Sequence, residues 1–502
     1  MSCKKSDKNK KSKAKSKAKS KAKSKQKHDL VYIMNPGCGW CKKSDPVVDE
    51  LIKKGYEITT LDITKPEEAE KANEIKSKYN AQCGTPHFVD AETGNQVCGF
   101  REDVLENWAK GEEIPAPPPR PQQPQQPQPG QPNNQQGPQI ADVKVEYIWL
   151  DGNSPSNIRS KVRYQKMNLS MIQDQNMMRI IPHTYFDGSS TNQTETTNSD
   201  CILKPVKIVP NPFDAPANTG QTISWIALCE VLDENNKPHS SNARRILQQS
   251  VIQTQETVKQ MIVGFEQEYV MIDTKTQLPM GWSDYENSTP PPQGKYYCGV
   301  GADNIKGRKI ADTHAMLCNT SGIGVVGTNA EVMLGQWEYQ TTPKHILSAA
   351  DEVIISRFIL QRLAEDMNVS ISYDPKPIEG DWNGSGGHIN FSTDYMRRES
   401  DLPYLTLLCA SMEKYHEESM QYYGVDNDKR LTGKHETSSI ESYSWGESDR
   451  TASIRIPLST IQNNGRGHLE DRRPAANIDP YQAFNHLLNS ISKINEEILQ
   501  PV

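Results

Sequence analysis

The chain has 502 residues, 24% of them charged and 35% hydrophobic, with a formal net charge of -6. Thirteen Lys and one Asp fall within residues 1–27, so the remainder carries -18. That balance excludes a nucleic-acid-binding body and confines any polyanion affinity to the basic tail.

Residues 11–25 repeat Lys-Ser-Lys-Ala, where closely spaced ammonium groups repel and no core can form. A disordered tail over 1–28 is expected, either a solubilising extension or a nuclear signal or polyanion-binding arm. At Asp29 the pattern changes. Leu30–Met34 reads as a buried strand, the stretch after Cys41 as a helix, Tyr56–Ile63 as a strand and Pro66–Tyr79 as a helix. Pro86–Val89 and Gln96–Phe100 read as two closely spaced strands ahead of a helix near Glu102–Lys110, which predicts a small α/β domain over 29–113. Residues 115–138 hold ten Pro and eight Gln; proline fixes φ and removes amide donors, so 114–140 is expected to be a semi-extended linker.

The main body begins near Ile140. Short apolar runs at Val143–Leu150, Arg159–Tyr164, Val206–Val209 and Ile226–Leu232 predict a mostly antiparallel sheet over 141–236. Over 237–502 strands alternate with longer helical patterns at Ile346–Asp366 and Tyr404–Tyr423, completing a multidomain α+β chain. No apolar run reaches the ~18 residues of a membrane span, and no apolar stretch follows the basic N-terminus as a secretory signal requires. Cys229 and Cys409 sit inside apolar runs, and Cys298 and Cys318 also read as core thiols. A reduced, cytoplasmic protein with no membrane partner is expected.

Cys38-Gly39-Trp40-Cys41 lies between a predicted strand and a predicted helix. At a first helical turn the dipole and the free amides stabilise the thiolate of the first cysteine. Cys38 is therefore the expected nucleophile and Cys41 the resolving thiol. Gly84-Thr85-Pro86 ahead of a strand resembles the cis-proline loop of the thioredoxin superfamily, and residues 29–113 are similar to thioredoxins and glutaredoxins. The resemblance implies a dithiol module, with the Pro86 loop against the dithiol, acting on thiol clients. A zinc site from Cys38, Cys41, Cys83 and Cys98, or an inert buried pair, are the alternatives.

Glu266 and Glu268 alternate along a predicted strand, so both carboxylates share one face about 7 Å apart along it. Such a pair in a cleft needs a cation or proton between its members. Glu331 and Glu338 stand beside small and aromatic residues, His388 and Asn390 follow a Gly-rich loop, and Glu470 begins an acid–base cluster with Asp471, Arg472 and Arg473. Five Glu and one His suit hard divalent ions, and arginines at 430, 450, 455, 472 and 473 suit a transferring phosphoryl group.

Long stretches from Trp149-Leu150-Asp151-Gly152 through Phe186-Asp187-Gly188-Ser189-Ser190, Gly264–Tyr269, Gly327–Glu338, Asn383–Ser392, Arg430–Thr437 and Glu470–Pro474 closely resemble the type II, eukaryotic-type glutamine synthetases. The resemblance implies a β-grasp domain over 141–236, a catalytic domain over 237–502 and a homo-oligomer, usually a decamer of two pentameric rings. It implies ligation of ammonia to L-glutamate with ATP and Mg2+ or Mn2+, through γ-glutamyl phosphate. Carried over by residue, Glu268, Glu331 and Glu338 would hold one metal, and Glu266, His388 and Glu470 the metal on the ATP phosphates. Asp187 of an adjacent subunit would take the ammonium proton, and Glu436 would sit on a flap that excludes water. Arg430, Arg450 and Arg472 would grip the substrate carboxylate and the moving phosphate, and His388 would border the substrate. Asn383 and Gly384 would meet the glutamate backbone end. Glu266, Asn390, Ser392, Arg450, Arg455 and His468 would line the nucleotide site. Ile262 and His468 stand where the family usually has aromatic residues near the adenine, and Asp449 where it usually has Asn. A γ-glutamyl ligase for another amine, and a non-catalytic scaffold displaying redox domains, are the alternatives.

Overall fold

The computed structural model describes residues 29–79, 84–112, 140–168, 180–214, 222–284 and 293–499. The Lys-rich tail, Cys83 and nearly all of the Pro/Gln-rich linker lie outside the described residues. The chain divides into two compact units, Met1–Pro132 and Asn133–Val502.

In the first unit β1 (Leu30–Met34) runs parallel to β2 (Ile58–Asp62) and antiparallel to β3 (His87–Asp90), with β4 (Gln96–Cys98) beyond β3. An unbroken apolar pentapeptide takes this central place because both of its faces are covered. Leu30 and Tyr32 join Val48 and Leu51 of helix α1 (Gly39–Lys53) and Leu105 and Trp108 of helix α3 (Glu102–Lys110) on one side. Val31 and Ile33 meet Leu61, Val89 and Ala72 of helix α2 (Pro66–Lys78) on the other. The elements expected from sequence over this stretch are present, shifted by a few residues at their ends. Cys98 is disulfide-bonded, which removes it from the zinc alternative.

The second unit opens with a five-stranded sheet in the order β6 (Ile158–Asn168), β5 (Ile140–Leu150), β9 (Thr222–Leu232), β8 (Asp200–Pro210), β7 (Thr184–Asp187). All pairings are antiparallel except β5 with β9. Period-two alternation gives β5 one apolar face, Val143, Val145, Tyr147 and Trp149, packed in a core belonging to this sheet, while Ile148 on the other face joins the main core. Charge fixes the same junction. Lys207 of β8 and Lys344 both reach Glu352, at 2.7 and 2.6 Å, and Arg244 spans Glu230 of β9 and Asp351 at 2.9 and 2.7 Å.

The larger sheet is centred on β10 (Ile262–Asp273), followed in chain order by β11 (Val325–Ala330), β12 (Gln336–Thr341), β13 (Lys344–His345), β14 (Val369–Ser372), β15 (Gly387–Ser392), β16 (Trp445–Glu447), β17 (Ile454–Ile456) and β18 (Leu469–Asp471). Its spatial order is β11-β12-β10-β15-β18-β17-β16, with β13 and β14 also on β10. Phe265 and Tyr269 face a core closed by the helices Ile346–Glu365 and Pro480–Ile498. By alternation Glu266 and Glu268 face the opposite way.

Two expectations are corrected. The helical pattern at Tyr404–Tyr423 is not one helix: Leu402–Ser411 gives way to a 3-10 turn at Met412–Tyr415 and a short helix at His416–Met420. The Tyr443 hydroxyl donates to the Cys409 carbonyl where the first helix ends, so a side chain takes an acceptor at the point of interruption. Cys298 is exposed rather than a core thiol, carried by a loop at φ 50°, whereas Cys229, Cys318 and Cys409 are buried as expected. No helix among the described residues is long and apolar enough to cross a membrane.

Candidate active site

Register brings the acidic residues together. Across β10, Glu268 lies opposite Glu338 of β12 and Glu266 opposite His388 of β15, and Asn390 of β15 pairs with Glu470 of β18. Residues separated by more than 200 positions thus occupy adjacent rungs on the face away from the core. Glu266, Glu268, Glu338 and His388 floor a cavity of about 570 Å³ that Asn329, Glu331, Asn383, Gly384, Arg430, Glu436, Arg450, Arg455 and Arg472 also line.

Two ligand clusters meet at one imidazole. Glu266, His388 and Glu470 offer atoms within 4.8 Å of one another, and so do Glu268, Glu338 and His388. His388 Nδ1 stands 3.3 Å from Glu266 and 3.5 Å from Glu470, while Nε2 faces Glu268 at 4.0 Å. Glu331 shares the cavity but falls outside both clusters; its carboxylate accepts from Asn329 Nδ2 at 2.8 Å and from the Val332 amide at 3.1 Å.

The two sides differ electrically. Burial opposes ionisation of Glu266, yet His388 and Asn390 outweigh it and hold its carboxyl down at about 2. Glu470 is likewise held below the usual range against burial by the charges of Arg472 and His388; Arg472 and Arg455 each contact it at 2.6 Å. Among the described residues, Glu338 and Glu331 have no such cation in contact. Burial first, then repulsion from neighbouring carboxylates, pushes both well above the ordinary range. Buried carboxylates that repel one another are a donor set matched to divalent cations.

Arg430, buried in the wall, donates to His388 Nε2 at 3.0 Å and to the carbonyls of Arg472 at 3.1 Å and Arg473 at 3.3 Å. Burial draws its pKa down to about 10. This packing needs glycine beside it. A Cβ on Gly386 would lie 2.7 Å from Arg430 Nη2 and 2.8 Å from His388 Nε2, and Gly384 combines φ 78° with a Cβ position 2.4 Å from the Pro375 carbonyl. Gly386→Ala is accordingly expected to lower kcat/KM by about 10–100-fold in a folded protein, by displacing a ligand and its support; steady-state kinetics beside a melting curve checks this.

Other expected site residues fall around this centre. Asn383 presents a buried Oδ1 without a partner among the described residues, a recognition atom awaiting a donor. Asn390 donates to Glu266 at 2.8 Å. Ser392 pairs across β10 with Ile262, and its hydroxyl accepts from Arg397 at 3.0 Å. His468, whose imidazole burial pushes down, is fixed through its backbone by the Thr460 hydroxyl. Arg450 is exposed, and its carbonyl accepts from Arg472. Asp449 accepts from Thr451 rather than from an arginine. Glu436 is exposed at φ 63°, next to His435 at φ 52°, which reaches Asp381 at 2.6 Å. Asp187 does not line the cavity; its exposed carboxylate accepts from Ser189 and Ser190, which hold it at about 2. The residues missed from sequence are the amides Asn329, Gln336 and Gln340. Their signal was present: Gln336, Glu338 and Gln340 alternate on β12 and share a face.

In the first unit Cys38 precedes α1 and its Sγ donates to the Thr85 carbonyl at 3.3 Å, beside a cis Thr85–Pro86 peptide. Burial works against ionisation of Cys38, but hydrogen bonds from the Cys41 amide and thiol outweigh it and lower its pKa; burial raises that of Cys41.

Residues 240–400 match the family model described as glutamine synthetase, catalytic domain. The chain is 41% identical over 364 residues to the chloroplastic glutamine synthetase of Chlamydomonas reinhardtii, covering 71% of this chain and 92% of that relative. It belongs to the glutamine synthetase family. The cytosolic isozyme of Pinus sylvestris is 40% identical over 343 residues, covering 68% of this chain and 90% of the relative. For the Homo sapiens glutamine synthetase the figures are 40% over 357 residues, 70% and 91%. Glutamine synthetases use ATP and divalent metal ions, Mg2+ or Mn2+; the oxygen-rich donor set here, with one imidazole, fits such ions.

Proposed function

We propose that the chain ligates ammonia to L-glutamate at the expense of ATP, giving L-glutamine, ADP and phosphate through γ-glutamyl phosphate. The observation that carries this reading is the meeting of Glu266, Glu268, Glu338, His388 and Glu470 in two ligand clusters joined at His388, beside a cavity walled by four arginines. Cations held there by these residues and Glu331 would offset charge on the phosphoryl oxygens. Arg430, Arg450 and Arg472 orient the glutamate and the phosphoryl group, and Arg455, Asn390, Ser392 and His468 border the nucleotide. A glutamate γ-carboxylate oxygen attacks the ATP γ-phosphorus and ADP leaves; ammonia then attacks the γ-carbon and phosphate leaves. Asn383 and Gly384 hold the amino-acid end. Glu436 at the mouth excludes water from the acyl phosphate.

Ammonium must lose a proton before it can attack. Asp187, exposed at the end of β7 and outside the cavity of its own copy, would accept it in the site of a neighbouring copy within a two-ring decamer. A phosphate-release assay with Mg-ATP, glutamate and a panel of amines tests the assignment. Turnover with ammonia is expected; turnover confined to an organic amine would convert the reading to a γ-glutamyl amide ligase, and none in a folded, metal-loaded oligomer would leave the scaffold.

The domain reading is a tail over 1–28, a thioredoxin-like module over 29–113, a linker over 114–140, a β-grasp domain over 141–236 and the catalytic domain over 237–502, in a cytoplasmic protein. In the module Cys38 attacks a client disulfide, Cys41 resolves the mixed disulfide, and the pair ends oxidised while the client gains two thiols. The lowered Cys38 pKa and its place at the start of α1 support this. Iodoacetamide should alkylate Cys38 at a pH below that of an ordinary thiol, about 8.5, while Cys41 stays slow. Peptide mass mapping across pH reads the order, and an ordinary profile for Cys38 counts against the module.

A further inference from the structure

We infer that four side-chain carboxamides, Asn329, Gln336, Gln340 and Asn390, are positioning residues for the cation-binding carboxylates, and that Gln340 and Asn329 couple Glu338 to Glu331. The inference rests on the cation reading of the site.

Each of four glutamates receives one amide. Asn390 Nδ2 donates to Glu266 at 2.8 Å, Gln336 Nε2 to Glu268 at 2.9 Å, Asn329 Nδ2 to Glu331 at 2.8 Å, and Gln340 Nε2 to Glu338. Glu470 is treated differently, by Arg455 and Arg472. The chemical difference matters. A guanidinium orients a carboxylate and cancels its charge, so it competes with a metal ion for the same oxygens. A carboxamide orients through one lone pair, leaves the remaining ones open and brings no net charge. Four carboxylates are thus oriented without a competing cation on their oxygens.

Two of the amides are joined. Gln340 Nε2 also donates to Asn329 Oδ1 at 2.8 Å, giving a chain from Glu338 through Gln340 and Asn329 to Glu331. Register makes it possible: Asn329 of β11 lies opposite Glu338 of β12, and Gln340 follows two residues on, on the same face. Glu331 stands outside both ligand clusters, so this chain is its side-chain link to them. Moving one end of the relay turns the other.

The test uses the full chain and Mn2+ alone, by titration calorimetry. Asn329 and Gln340 are partly exposed, so Asn329→Leu and Gln340→Leu are the primary variants, with Gln336→Leu as a buried third and Glu268→Ala as a direct-ligand control. Each amide variant is expected to raise the Kd for Mn2+ by about 10–100-fold, and kcat is expected to recover at saturating Mn2+. Asn329→Leu with Gln340→Leu is expected to cost no more than the worse single change, since both cut one relay. Amide variants that fold and bind Mn2+ as the unaltered chain does, while Glu268→Ala is impaired, overturn the inference. If Glu268→Ala also binds normally, the cation reading itself fails. A structural role alone would lower the melting temperature without a metal-dependent recovery of kcat.

Discussion

Glu268→Ala is expected to lower kcat/KM by about 10³-fold or more, equivalent to about 4 kcal/mol of lost transition-state stabilisation. Glu268 faces Glu338 across the β10–β12 ladder and His388 Nε2 at 4.0 Å, so it completes the second ligand cluster. Its Oε2 already accepts from Gln336 at 2.9 Å and from the Gly386 amide at 3.0 Å, which leaves Oε1 directed into the cavity. Alanine removes the ligand oxygen and strands both donors. Phosphate release at several Mn2+ concentrations measures the effect. A loss smaller than tenfold at limiting metal would show that Glu268 holds no cation.

Asp471→Ala is expected to destabilise the second unit by about 3–5 kcal/mol, since it leaves a buried guanidinium without its counter-ion. Arg473, 1% exposed, donates to both Asp471 oxygens, at 2.9 and 2.6 Å, and lies between the rings of Tyr423 and Tyr443 at 5.1 and 5.5 Å. The Tyr423 hydroxyl completes the set at 2.8 Å from Asp471. Replacing both partners, Asp471→Leu with Arg473→Met, is expected to recover most of the loss, because no charge then remains buried. Denaturant midpoints of the single and double variants decide it; a double variant as unstable as the single would place the cost in packing. Activity is expected to fall with the single change, because Glu470 and Arg472 flank this anchor.

Much of this arrangement was legible where chemistry has a period. Glu266 and Glu268 alternate on a strand, His388 and Asn390 do the same after a glycine loop, and the structure sets Glu266 opposite His388. The small α/β unit was legible because an unbroken apolar strand and two amphipathic helices leave few ways to cover both faces. Partnerships that depend on three dimensions were not. That Gln340 turns toward Asn329 depends on a register between β11 and β12 that neither segment states alone. The parallel pairing of β5 with β9, inside a sheet expected to be mostly antiparallel, is a matter of topology. The interruption at Met412 arises because Tyr443, far along the chain, caps a carbonyl that local propensity assigns to a continuing helix. Cys298 read as a core thiol, yet it lies exposed on a left-handed backbone position.

His435 and Glu436 follow Gly433 at φ 73°, so the segment over the cavity doubles back within a few residues. Its tethers include Thr437 Oγ1, which donates to the Arg430 carbonyl at 3.2 Å, Ser438, whose hydroxyl accepts from Ser453 at 3.1 Å, and His435, which reaches Asp381 on a separate loop. These are single side-chain contacts, whereas the floor is locked by strand register, so the rim is the softer part. One contact leads inward: Arg430, whose carbonyl Thr437 holds, also supports His388, which links the mouth to the imidazole shared by both ligand clusters.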